Sequence, residues 1–131
     1  MSDKKIIMAI DDDTMILRVY TQFLSSVYDL RIVKSAADAE IMLEKIRPDL
    51  ILLDIEMPDI SGFEFLHTIK KNPRLMKVPV VIVSSHYENE FVEHAKKGGA
   101  SDVVAKPIIE KVLFDKINEA FKKPVANILG I

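Results

Sequence analysis

Apolar residues along this chain alternate between short runs and longer stretches in which they recur every three or four positions. The short runs fall at residues 5–10, 30–33, 50–53, 78–83 and 102–105, with Lys5, Arg31 and Asp102 their charged members; all read as strands, and the wholly aliphatic 50–53 as a central one covered on both faces. The spaced stretches predict helices over 14–27, 36–46, 63–71, 87–97 and 109–121. In the first of these, Met15, Val19, Phe23 and Val27 form a stripe flanked by Ile16, Tyr20 and Leu24. Shorter stripes follow at Ala39, Leu43 and Ile46, at Phe63, Leu66 and Ile69, and at Val112, Leu113, Ile117 and Ala120. Asp13 or Thr14 supplies the first N-cap, Arg47-Pro48 and Asn72-Pro73 stop the second and third helices, and Gly98-Gly99 closes the fourth. That fourth helix has the thinnest apolar side, Phe91, Val92 and Ala95 among Glu and Lys, so packing holds it least firmly.

Strands and helices in strict alternation imply a parallel sheet with right-handed crossovers and helices on both faces. The expected fold is α/β, a doubly wound, three-layer α/β/α domain with a five-stranded sheet. A length of 131 residues suits one domain, read here as residues 1–122, followed by 123–131 as either a docked tail or the start of a linker. Net charge is −2 with Lys and Arg scattered, which argues against direct nucleic-acid binding. No apolar run approaches the roughly 20 residues needed to span a bilayer, and no secretory signal precedes the first strand, so a cytoplasmic location is expected. With no cysteine, disulfides, thiolate-bound zinc and thiol catalysis are excluded.

In a sheet of this kind the ligand site lies beyond the carboxyl ends of the strands, where the winding reverses. The residues predicted there are Asp11 and Asp12, Asp54, Ser84 and Lys106. Asp54 ends the run Leu50-Ile51-Leu52-Leu53 and is followed by a turn punctuated by Pro58 and Gly62. Clustered carboxylates repel one another, so they take up protons or hold a cation. An open oxygen site of a few carboxylates suits Mg2+, which keeps waters and shares positions with phosphate oxygens. Lysine and hydroxyl beside it would complete a cradle for a phosphoryl group, and a screened carboxylate can then act as nucleophile.

The joint pattern Ile10-Asp11-Asp12-Asp13, Leu53-Asp54-Ile55-Glu56-Met57-Pro58 with Gly62, Val83-Ser84-Ser85 and Lys106-Pro107 resembles the response-regulator receiver domains of two-component signalling, over residues 5 to 122. The resemblance implies the CheY-like strand order 2-1-3-4-5 and a cis peptide at Lys106-Pro107. It makes Asp54 the phosphoacceptor and Lys106 the ligand of the phosphoryl oxygens, with Ser84 as the hydroxyl that swings toward them. Asp12 becomes a direct Mg2+ ligand and Asp11 a ligand through water, with Asp54 and the Glu56 carbonyl completing the protein side. One departure is Val103, where the family often carries Tyr or Phe three residues before the lysine.

The function so implied is a phosphorylation-dependent switch rather than an enzyme acting on other substrates. A sensor histidine kinase or phosphotransfer protein would be the donor, and a downstream effector protein or domain would read the surface of the fourth helix, fifth strand and fifth helix. The same surface is the expected site of any homodimer. A Mg2+-dependent phosphohydrolase with an aspartyl-phosphate is the rival reading, although it would normally carry Asp where Glu56 stands. A flavodoxin-like carrier would meet three acids after the first strand where its cofactor phosphate belongs. Among the remaining residues, Asp13 reads as a helix cap, His67 and His94 as solvated, and His86 as bordering the mouth of the site.

Overall fold

A computed structural model describes residues 3–123. The proposed tail, apart from Lys123, lies outside the described residues. Five strands, β1 (Ile6–Ile10), β2 (Asp29–Val33), β3 (Leu50–Asp54), β4 (Val80–Ser84) and β5 (Asp102–Ala105), alternate with α1 (Thr14–Leu24), α2 (Ala36–Lys45), α3 (Gly62–Lys71), α4 (Asn89–Lys97) and α5 (Glu110–Lys122). All pairings are parallel, in the order β2-β1-β3-β4-β5. The α/β class, the doubly wound topology and the strand order are those expected.

Because side chains alternate along a strand, each run feeds both layers. Met8, Ile10, Ile51, Leu53, Val80, Ile82 and Val103 pack with α2, α3 and α4, while Ile7, Ala9, Leu50, Leu52, Val81, Val83 and Val104 pack with α1 and α5. Leu50 to Leu53 are fully buried, which at about 1.5–3 kcal/mol per side chain gives roughly 10 kcal/mol for the four. That burial anchors the strand that ends in Asp54.

Several boundaries differ from those the pattern predicts. Helix α1 ends at Leu24, because the N–H groups of Val27 and Tyr28 both turn back onto the Leu24 carbonyl. Val27 is left exposed, and Tyr28 is buried instead, its ring 6.3 Å from that of Phe114 and 6.2 Å from that of Phe121. Strand β4 starts at Val80 rather than 78: Pro79 has no N–H to donate, and the Val78 N–H bonds to the Leu75 carbonyl. Helix α4 starts at Asn89, leaving Tyr87 in an exposed loop; it has no side-chain cap and buries only Ala95. The low anchorage expected of this helix is what its packing shows.

Candidate functional site

Strand β3 delivers Asp54, almost fully buried, to the carboxyl edge of the sheet. Strand β1 ends one residue before Asp11, also buried, whose Oδ1 accepts from the Asp13 N–H at 2.9 Å. Asp13 in turn caps α1, accepting from the Met15 N–H at 2.9 Å, so it serves the helix as read from the sequence. Asp12, between them, is exposed. Oxygens of Asp11, Asp12 and Asp54 all lie within 4.8 Å of one another.

Lys106 enters from β5. Its backbone N–H bonds to the Ser84 carbonyl at 2.8 Å, and the following Lys106-Pro107 peptide is cis. Its Nζ lies 3.2 Å from Asp11 Oδ2 and donates to Asp54 Oδ1 at 3.3 Å. Burial and the negative charge of Asp11 push the Asp54 carboxyl up to about 6, against the opposing pull of Lys106 and of the Glu56 N–H. Burial alone would lower the Lys106 ammonium, yet the charges of Asp11 and Asp54 win and raise it. Tyr20 beneath them is raised well above its ordinary value, first by burial and then by the same two carboxylates.

The chain after Asp54 folds back tightly. Glu56 N–H donates to Asp54 Oδ1 at 3.2 Å, Glu56 and Ser61 form an antiparallel bridge, and Gly62 N–H bonds to the Ile55 carbonyl at 2.9 Å. A Cβ at position 62 would stand 2.5 Å from Ile55 Cα and 2.7 Å from the Asp54 carbonyl oxygen, so only glycine fits. The resulting cleft, ≈ 380 Å³, is lined by Asp11, Asp12, Asp13, Asp54, Glu56, Ser85 and Lys106.

Ser84 ends β4 beside this cleft but does not line it; buried, its Oγ accepts from the His86 N–H at 3.0 Å. Ser85 takes the lining position instead. His86 reaches across the mouth, with Nε2 3.1 Å from Glu56 Oε1, and its ring is 6.0 Å from that of Phe91. His94 sits on an exposed part of α4 with its ring edge-on to Phe63 at 4.7 Å, a contact that helical periodicity alone did not reveal. Val103 is fully buried in the layer of α3 and α4.

The donor set fits a hard divalent cation. Asp11 Oδ2 is buried without a hydrogen bond, Lys106 approaching it only as an ion pair, and three carboxylates face one another across less than 5 Å with oxygen as their only ligand atoms.

A family model described as the response regulator receiver domain matches residues 7–118. A protein-glutamate methylesterase/protein-glutamine glutaminase of Myxococcus xanthus is 38% identical over 112 residues, which are 82% of this chain and 32% of that protein. In structure, a CheY-like response regulator receiver domain protein from Methanospirillum hungatei superposes with a TM-score of 0.81 at 28% identity, covering 91% of this chain and 94% of that one. The chemotaxis protein CheY4 of Vibrio cholerae, at 22% identity and a TM-score of 0.83 over 89% and 98%, shares the fold. The chain belongs to the response regulator receiver family and is a receiver domain of two-component signalling. It spans about a third of the length of the curated relatives it matches. Among the described residues no helix is long and apolar enough to cross a membrane.

Proposed function

We propose that this domain is a phosphorylation-controlled switch whose phosphoacceptor is Asp54, with Mg2+ held by Asp11, Asp12, Asp54 and the Glu56 carbonyl. The observation that carries the reading is the convergence of Asp11, Asp12, Asp54 and Lys106 at one end of a buried strand. A bound Mg2+ supplies positive charge that offsets the repulsion between this acid cluster and an incoming phosphoryl group. An Asp54 carboxylate oxygen attacks phosphorus while the P–N bond of a donor phosphohistidine breaks and the imidazole leaves with the electron pair. Lys106, released from its two carboxylates, follows the charge onto the phosphoryl oxygens. The donor is then a sensor histidine kinase or a phosphotransfer protein, and the setting cytoplasmic.

Readout follows from mobility. The phosphoryl group places a strong acceptor near Ser84, whose hydroxyl leaves its contact with the His86 N–H and turns inward, drawing residues 85–87 with it. Those residues lead into α4, which has one buried residue and no side-chain cap, so a small pull shifts its population. The face of α4, β5 and α5 is therefore the one shown to an effector or to a second copy. Since Val103 has no ring to flip, Ser84 and α4 carry the change alone. Because the curated relatives are named as methylesterases/glutaminases, an enzyme of that kind is one candidate for the controlled activity. Amide hydrogen exchange with and without beryllium fluoride tests the readout: protection should change across residues 84–105. Changes confined to α1 and α2 would overturn it.

A further inference from the structure

The loop between β3 and α3 is tied not only at its base but also at its tip. Asp59 Oδ2 accepts a hydrogen bond from the Ala37 N–H at 3.1 Å, joining the loop to the first turn of α2 across 22 positions of sequence. The first turn of a helix has N–H groups without intrahelical partners. In α2, Ser35 Oγ satisfies that of Asp38 at 3.1 Å, and the Asp59 carboxylate satisfies that of Ala37. A negative charge there also meets the positive end of the helix.

Asp59 does not line the acidic cleft, so it does not act on a bound ion directly. Its position along the chain gives it an indirect hold. The Glu56 carbonyl belongs to the peptide that leads into Met57, whose side chain is buried in the layer of α2, α3 and α4. Pro58 follows with a fixed φ, and Asp59 comes next. Buried Met57, rigid Pro58 and tethered Asp59 thus hold the outer arm of the loop from three successive residues, while the Glu56–Ser61 bridge holds its base.

We infer that Asp59 is a positioning residue: by capping α2 it fixes the orientation of the Glu56 carbonyl toward the acid cluster. This rests on the proposed reading that the carbonyl completes a divalent-ion site. With the tether cut, the loop tip loses its anchor on α2, the carbonyl samples a wider range, and the ion binds more weakly with its carboxylate ligands unchanged.

The test is Mg2+ affinity of residues 1–131 without any phosphodonor, read from amide shifts of residues 11, 54 and 56 and repeated with Mn2+ by paramagnetic broadening. Asp59→Ala should weaken binding by about two- to tenfold, the range corresponding to one net hydrogen bond. Asp59→Asn keeps an acceptor oxygen and should recover most of the affinity. Ala37→Pro, in the first turn where proline is tolerated, removes the donor instead and should weaken binding by the same factor; it carries the test should Asp59→Ala not fold. Ser35→Ala strips the other cap of the same helix without touching the loop and should leave affinity unchanged. Wild-type affinity in Asp59→Ala or Ala37→Pro overturns the inference, as does equal weakening by Ser35→Ala or no recovery in Asp59→Asn. Asp12→Ala separates the two levels: if the parent protein binds no Mg2+, or binds it as well without Asp12, the reading of the ion site itself fails whatever Asp59 does.

Discussion

Replacing Asp54 by asparagine removes a charge that the folded protein holds at a cost. The carboxyl is 4% exposed, and burial together with Asp11 moves its titration from the ordinary 3.8 to about 6. That interval, at about 1.4 kcal/mol per pH unit, amounts to about 3 kcal/mol. The sign follows from proton uptake. Because the folded value lies above the unfolded one, the native state binds the proton more tightly, so the cost is nearly absent below pH 4, grows as pH rises, and is complete above about 6. The attraction of Lys106 is already contained in the raised value, and asparagine keeps an oxygen for the Glu56 N–H. Urea unfolding with a chelator from pH 4 to 8 should therefore show Asp54→Asn more stable than the parent by up to about 3 kcal/mol at pH 7.5 and by about half a kcal/mol at pH 4. Added Mg2+ should narrow the gap at pH 7.5, since it binds the folded parent more tightly than a variant without the Asp54 carboxylate. A variant no more stable than the parent at pH 7.5, or a gain independent of pH, would refute the reasoning.

Three further outcomes are expected. Gly62→Ala forces a Cβ to within 2.5 Å of Ile55 Cα and should destabilise the fold by about 3 kcal/mol in urea unfolding; a loss below about 1 kcal/mol would show that the turn can relax. Lys70, buried with Nζ donating to the carbonyls of Met76 at 3.2 Å and Val78 at 2.8 Å, is lowered by burial to about 8. Its folded value lies below the unfolded one, so the cost is present below pH 8 and is relieved as pH rises through 8 toward the unfolded 10.5; relative to Lys70→Met, the parent should gain about 2 kcal/mol between pH 8 and 10, and a flat difference would contradict it. Glu56→Ala or His86→Ala opens the 3.1 Å pair across the mouth and should change the decay rate of phospho-Asp54 followed by mass spectrometry; unchanged decay in both would remove them from control of that step.

What was legible in the sequence was whatever periodicity or strand position encodes. The run Leu50–Leu53 announced a strand covered on both faces because both faces carry helices, and the acids and lysine after the runs fall together because parallel strands end on one edge. What periodicity does not encode is where backbone polar groups go. The run 78–83 is continuous in side-chain character, yet Pro79 breaks its hydrogen bonding and moves the start of β4 to Val80. Lys70 looks like an ordinary helix cation until the loop after α3 turns its carbonyls toward it. Asp59 reads as one more turn residue, because its partner Ala37 lies 22 positions away. Ser84 reaches the right strand end, but the hydroxyl is engaged with its own loop, and Ser85 faces the cleft in its place.

The central claim, that this domain receives a phosphoryl group on Asp54, is tested most directly by incubating the protein with a small-molecule phosphodonor and Mg2+ and mapping the label by mass spectrometry. The expected result is a single phosphoryl group per chain, on Asp54, absent without Mg2+ and absent in Asp54→Ala. Label that persists in Asp54→Ala, or that forms equally well without divalent ions, would contradict it.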